Sequence, residues 1–310
     1  MTSAAAPAPG AAAATAVPAP AVPRASAAAR FGETGAAVVA GPPRRAEVAG
    51  AQTLRRGLMV LRLLTRIGPG GLRMADICRQ VALTKATAVR LTQALVDEGF
   101  VLKDPASGRY RLGPEAFAVG LAAEPSYELQ RLAAPTLRAL AAETEDTVFF
   151  SVLHGYETIC LSRDEGDFPI RNQLLKPGDR VPLGVGAGGC ALLAAFGDAE
   201  IVEVLAHTRA ARALRYPRCT DAALRQMIRE TRERGWCVLP GLLLADSWAV
   251  AAVVRDHHGQ PVAAITVAAI KSRLAPARRT AIGERLLQAS AEVTRLARAR
   301  AAARAEPSPG

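Results

Sequence analysis

At 310 residues, half of them hydrophobic, the chain is long enough for two domains of ordinary size and a sizeable core. No run reaches the roughly 18 apolar residues a membrane span needs. The five cysteines (Cys78, Cys160, Cys190, Cys219, Cys237) show no CxxC spacing, which argues against a disulfide framework or zinc site and for reduced thiols in a cytosol. The net charge of +11 is uneven: residues 52–123 carry 11 Lys/Arg against 5 Asp/Glu and 271–310 carry 9 against 3, whereas 124–270 carry 15 against 18. Basic ends around a mildly acidic middle suit a polyanion-binding module joined to a domain with another task.

Residues 1–50 are dominated by Ala, Pro, Gly, Val and Ser, with prolines interrupting each apolar run and no basic start. That composition predicts a disordered tail rather than a signal peptide. Leu54, Leu58, Leu61 and Leu64 recur at helical spacing until the breakers Gly68-Pro69-Gly70-Gly71. A second helix is expected over 74–81, with Ile77 and Val81 four apart, and a break at Ala82-Leu83. The third opens at Thr84, whose hydroxyl can cap it, and runs to about Glu98 before Gly99 stops it. Strands over 100–102 and 109–112 flank a turn-rich loop at 104–108. Helix, turn, helix and ribbon together describe a winged helix-turn-helix, a DNA-reading unit.

The third helix has two faces. Val89, Thr92, Leu95 and Val96 are expected to face the core, and Thr87, Arg90 and Ala94 to face away. Thr84 and Lys85 sit at the tip, where backbone amides and the helix dipole favour a phosphate. Arg109 and Arg111 on the ribbon would meet flanking backbone or minor groove. An ordinary amphipathic helix with a solvated charged face is the competing reading, and the ribbon's two arginines weigh against it.

Next, 115–123 is a short apolar helix whose Phe117, Val119 and Leu121 suggest packing against a partner protomer, the alternative being its own chain. A helix over 129–144 is broken or begun at Pro135. Strands are expected at 147–153 and 156–163 around the turn His154-Gly155, and at 170–175. Helices follow at 198–206 and 221–234, the latter capped by Thr220 and stopped by Gly235. Strands at 236–239, 249–255 and 262–270 and a long helix over 276–304 complete a mixed α+β domain with an antiparallel sheet.

Within it, Gly184-Val185-Gly186-Ala187-Gly188-Gly189 satisfies GxGxxG in letters. The helix behind it, about 189–196, is stopped by Gly197, and the acidic residue some 20 positions on, Glu203, falls inside the next helix, so a dinucleotide site fails. Glycines at a helix start still expose N–H groups to which a carboxylate can dock, or serve tight helix-on-sheet packing; spacing alone leaves both open. Cys190 in that first turn has no His nearby in sequence, and His257-His258 sits in a turn before Gly259. With no nucleophile elbow, HExxH or phosphate loop, no catalysis, cofactor or metal is expected.

Three segments carry a resemblance. Ile77 to Leu91 (ICRQVALTKATAVRL), backed by Gly99-Phe100-Val101 and Tyr110-Arg111-Leu112-Gly113, is one; Pro182 to Ala194 (PLGVGAGGCALLA) is the second; Pro261 to Ala268 (PVAAITVA), followed by Ser272-Arg273-Leu274, is the third. In order and spacing, from about Gln52 to Arg300, they resemble the IclR family of bacterial transcription regulators. The resemblance implies a winged helix-turn-helix, a linker helix and an effector domain with a GAF-like sheet. It also implies a homodimer or dimer of dimers on a pseudo-palindromic double-stranded operator, and a small organic acid as effector. The expected division is tail 1–50, DNA-binding domain 51–113, linker 114–125, effector domain 126–303 and tail 304–310. The family's pocket maps onto Gly186, Ala187, Gly188 and Gly189, and onto Leu239, Thr266 and Ala268.

The chain departs from the family's pattern at three places. Leu239 and Pro240 stand where relatives often carry Asn or Asp, and Ala268 lacks a hydroxyl. Fewer polar groups favour a larger, more apolar and even aromatic acid, because an unpaired ligand hydroxyl is costly to bury. Arg73 replaces the Thr or Ser expected to cap the second helix, losing that cap and adding a phosphate contact. The resulting expectation is a cytoplasmic, ligand-responsive regulator of transcription. Its rivals are an enzyme using Cys190 and a nucleoid-type protein binding DNA without sequence preference.

Overall fold

The computed structural model describes residues 51–123, 128–172 and 174–305. The expected N-terminal tail, the 125/126 boundary and residues 306–310 lie outside the described residues.

The first unit contains α1 (Gln52–Ile67), α2 (Met74–Val81), α3 (Lys85–Asp97) and the two-stranded ribbon β1 (Val101–Lys103) and β2 (Tyr110–Leu112). Its core joins Val60, Leu64, Leu72, Ile77, Val81 and Val101. The α1 stripe is therefore rotated from the leucine periodicity: Leu54 and Leu58 are exposed, while Val60 and Leu63 are buried. The turn before α3 places Ala82 in the left-handed region at φ 51°, and the N–H groups of Ala82 and Leu83 both reach the Cys78 carbonyl. Thr84 caps α3 as expected, its hydroxyl accepting from the Thr87 N–H at 3.3 Å. Helix α4 (Pro114–Ala123) then buries none of its residues.

The second unit is built on a six-stranded antiparallel sheet, in the order β5-β4-β3-β8-β7-β6. The strands are β3 (Thr147–His154), β4 (Glu157–Asp164), β5 (Arg180–Pro182), β6 (Cys237–Leu244), β7 (Ser247–Arg255) and β8 (Pro261–Ile270). One face, carrying Val148, Phe150, Val250, Ile265 and Val267, packs on α5 (Glu128–Thr144) and α9 (Pro276–Ala305). The other, carrying Phe149, Ala249, Ala251, Ala264 and Ala268, packs on α6 (Gly186–Ala194), with α7 (Asp198–Arg215) and α8 (Asp221–Arg234) outside it. Because both faces are covered, β8 is buried over nine consecutive residues, not alternately. Its alanines let the helices come close.

Several expectations shift. Pro135 sits inside an unbroken α5, on an exposed position where the carbonyl its ring frees reaches water. Among the described residues of 170–175 there is no strand: Ile170 and Leu174 are exposed, and the Asn172 N–H donates to Thr147 Oγ1 at 3.2 Å. The sheet is completed instead by β5. Helix α6 starts at Gly186, three residues earlier than expected. Helix α7 continues to Arg215 because the buried Arg212 anchors its last turns, and β6 runs on to Leu244. Helix α9 includes residues 304 and 305, which the sequence assigned to a tail.

Candidate nucleic-acid interface and effector pocket

On α3 the inward stripe is Ala88, Leu91 and Thr92, with Leu95 and Val96 half-buried. This corrects the expected faces at one position: Val89 is 43% exposed and joins Lys85, Ala86, Arg90 and Gln93 on the outer side. Anchoring the helical wheel on Ala88 rather than Val89 would have found Gln93, one turn beyond Val89; its amide donates to Asp97 at 2.7 Å. Thr87 is half-buried, and its Oγ1 accepts the Thr84 hydroxyl at 3.0 Å, so both threonines are engaged in the cap. Arg73 is exposed ahead of α2 and makes no capping hydrogen bond.

On the ribbon, Arg111 is exposed, whereas Arg109 turns inward and donates to the Gly71 carbonyl at 3.0 Å. Leu72 and Tyr110 exchange backbone hydrogen bonds beside it, fixing the wing to the turn between α1 and α2. The wing tip is ordered by Asp104, which accepts from the Ser107 hydroxyl and the Ala106 N–H; these bonds hold its carboxyl below the usual range. The outcome is a convex basic surface whose reading helix carries small and amide-bearing residues.

The expected pocket residues converge on one face of the sheet. Leu239, Ala249, Ala268 and Thr147 lie side by side across β6, β7, β8 and β3, and Cys237, Ala251, Thr266 and Phe149 form the neighbouring row. Helix α6 lies over them. A Cβ on Gly188 would stand 2.9 Å from Thr266 Oγ1 and 3.3 Å from Ala264 Cβ, so Gly188 is small for packing. On Gly189 it would stand 3.2 Å from the Gly184 nitrogen. Gly186, at φ 77°, faces open space, and the N-cap Val185 offers no side-chain hydrogen bond. Packing explains the second pair of glycines; among the glycines of the α6 start, only Gly186 has open space where a side chain would stand.

Sequence reasoning missed Thr147 and Asn172. Asn172 lies at the Thr147 end of the first row, and its side-chain amide also donates to Ser247 Oγ at 2.6 Å. Their signal was tertiary, since they come from distant segments.

Cys190, the candidate nucleophile, is not poised to react. Cys190 is fully buried, and its hydrogen bond with Cys237 together with burial pushes its thiol well above the ordinary range. Burial pushes Cys160 up to about 12. The rings of His257 and His258 lie tilted at 43° with their centroids 3.8 Å apart in an exposed turn. Among the described residues no helix is long and apolar enough to cross a membrane, and no cluster of metal-ligating side chains occurs.

Comparison with known families now decides the identity. Residues 53–105 match the IclR helix-turn-helix domain, and residues 122–295 match the bacterial transcriptional regulator IclR C-terminal family. The chain belongs to the IclR family of bacterial transcriptional regulators. It is 33% identical to the glycerol operon regulatory protein of Streptomyces griseus, across 73% of this chain and 87% of that protein. It is 27% identical to the transcriptional repressor IclR of Escherichia coli K12, across 78% and 89%. The fold recurs in an IclR family regulator from Brucella abortus (TM-score 0.64, 24% identity, 85% of this chain and 99% of that one). It recurs also in an IclR homolog from Microbacterium hydrocarbonoxydans complexed with 4-hydroxybenzoate (TM-score 0.65, 23% identity, 80% and 99%). Like its relatives, this IclR-type chain is a DNA-binding regulator of transcription, not an enzyme.

Proposed function

We propose that this IclR-type regulator is a cytoplasmic protein that reads a pseudo-palindromic operator as a homodimer or dimer of dimers and senses a small, predominantly apolar carboxylic acid. The proposed division is 51–113 for DNA binding, 114–125 as linker and 126–303 for effector binding. In this reading Thr87 and Arg90 contact base edges, joined by Val89 and Gln93 on the same helix. Arg73, Lys85 and Arg111 hold phosphates, Thr84 keeps the helix tip ordered, and Arg109 positions the wing.

The observation that carries the effector reading is the row Leu239–Ala249–Ala268, three apolar side chains on the sheet face that α6 covers, with the hydroxyls of Thr147 and Thr266 beside it. The carboxylate docks on the N–H groups at Gly186 and Ala187, and Gly188 and Gly189 keep α6 close to the sheet. Such a lining binds a ring or branched chain in preference to a hydroxylated one. The relative crystallised with 4-hydroxybenzoate shares the fold, and the argument for an aromatic acid rests on the pocket residues themselves. Acid binding shifts the protein between two domain arrangements only to the extent that it binds one of them better.

A second copy is supported by apolar surface left without cover. Phe117, Val119 and Leu121 on α4 are 69%, 51% and 53% exposed, and Leu54, Leu58 and Met59 of α1 are exposed as well.

The test is a gel shift on DNA from upstream of the protein's own gene, with excess random competitor, repeated with a panel of carboxylic acids. The expected result is a competitor-resistant shift altered by benzoate-like acids. Loss of the shift to competitor would favour the nucleoid-type reading, and a response to short hydroxy acids alone would sink the apolar pocket.

A further inference from the structure

A cavity of about 460 Å³ lies away from α6, in a groove along the sheet's outer edge. Strand β6 is an edge strand, and its Val238 and Pro240, with Trp236 just before it, form the floor. Met227, Glu230 and Arg234 of α8 make one wall, and Pro276, Arg279 and Thr280 of α9 the other. That volume falls in the range of about 300–1,000 Å³ typical of small-molecule sites.

Its polar groups are unbalanced. Two guanidinium groups face one carboxylate: Arg234 lies 3.4 Å from Glu230, and Arg279 makes no ion pair among the described residues. Both arginines are stacked on indoles, Arg234 with its guanidinium carbon 5.0 Å from the Trp236 ring centroid and Arg279 at 4.9 Å from that of Trp248. Stacking holds the planar fork by its face and leaves its N–H edge free, the arrangement that suits a bidentate carboxylate. Trp236 is itself pinned from behind by α9, where a Cβ on Gly283 would lie 2.3 Å from the ring. The floor is therefore rigid, flat and apolar, beside a preorganised cation.

The groove is also defended against the other natural occupant of a sheet edge, a further strand. Pro240 supplies no N–H, and the β6–β7 register shifts between Pro240 and Leu244. Both features resist strand addition.

We propose that the β6-edge groove is a second ligand site, distinct from the α6 pocket, that takes an amphipathic organic monoanion. The acid's carboxylate pairs with Arg279, and its aryl or branched chain lies along the β6 edge against Val238, Pro240 and Leu242. Helix α8 forms part of both the groove wall and the core beneath α6, so occupancy at the edge reaches the pocket through packed side chains.

Of the chain's two tryptophans, Trp236 lines the groove and Trp248 lies beneath Arg279, so both report on it. Phenylacetate is titrated into the full-length protein, followed by tryptophan fluorescence and equilibrium dialysis, with neutral phenylacetamide as control. Saturable binding is expected, about tenfold weaker for phenylacetamide and for Arg279→Gln, with Arg279→Lys between. Circular dichroism checks that each variant is folded. Equal binding by Arg279→Gln, or no binding at all, would overturn the proposal. So would an oligomer that Arg279→Gln dissociates with no acid-dependent fluorescence, which would assign the groove to a second copy.

Discussion

Gly188 and Thr266 form a pair whose coupling follows from geometry. Replacing Gly188 by Ala adds a methyl group 2.9 Å from Thr266 Oγ1, closer than carbon and oxygen tolerate, with Ala264 Cβ 3.3 Å away on the other side. Overpacking of this kind costs about 1–3 kcal/mol. Exchanging Gly for Ala inside a helix returns about 1 kcal/mol. Gly188→Ala alone should therefore destabilise the protein by about 1 kcal/mol, with α6 pushed from β8 and effector binding weakened. In a Thr266→Ala background the oxygen is gone, the remaining neighbour can give by a few tenths of an ångström, and the helix gain dominates. The coupling in a double-mutant cycle should be about 1–2 kcal/mol. Urea unfolding of the four proteins measures it. Thr266→Ser keeps the oxygen and should keep the penalty. If the two substitutions add to within about 0.5 kcal/mol, or if Thr266→Ser rescues as well as Thr266→Ala, the proposed contact between α6 and β8 is wrong.

Three further outcomes are expected. Arg212 is 2% exposed and donates to the Leu205 and Cys219 carbonyls, the Thr208 hydroxyl and Asp221, so Arg212→Met should cost about 3–5 kcal/mol in a denaturant melt by stranding buried acceptors. The Arg212 hydrogen bond holds the Asp221 pKa below its usual 3.8; the associated stability is present above the unfolded pKa and lost as pH falls through the folded one. Acid unfolding of Arg212→Met should accordingly flatten in that window, and an unchanged acid limb would remove Asp221 from the account. On DNA, Lys85→Ala or Arg111→Ala should weaken all sequences alike and lower the salt slope by about 1, whereas Arg90→Ala should erode discrimination between operator and random DNA; a salt-titrated binding assay separates the two, and a uniform loss for Arg90→Ala would remove its base-reading role. Ala82→Gly relieves the left-handed φ of 51° and should stabilise the turn by about 0.5–1 kcal/mol in thermal melts, with a loss of stability counting against that backbone geometry.

What the amino-acid order determined by itself is whatever depends on a few neighbouring residues. Thr84 and Thr220 cap their helices, Gly235 ends α8 in the left-handed region, and α2, α3, β7 and β8 span the residues expected of them to within two positions at each end. Those features arise from hydrogen bonds and steric limits spanning one turn, so they can be read from the chain alone. Only tertiary structure decided which way each amphipathic face turned. Val89, Leu54 and Leu58 face outward because Ala88 and Val60 meet the core, and Arg109 points inward because Gly71 presents a carbonyl across the wing. The same holds for the sheet edge. Residues 170–175 have strand-like composition, but β4's free edge is reached by Arg180–Pro182, and Asn172 is used to bind Thr147 and Ser247. The pocket row from Leu239 to Thr147 and the groove between α8 and α9 join segments tens of residues apart. Their geometry comes from packing two helical layers on one sheet, a long-range free-energy minimum that local sequence constrains but does not specify.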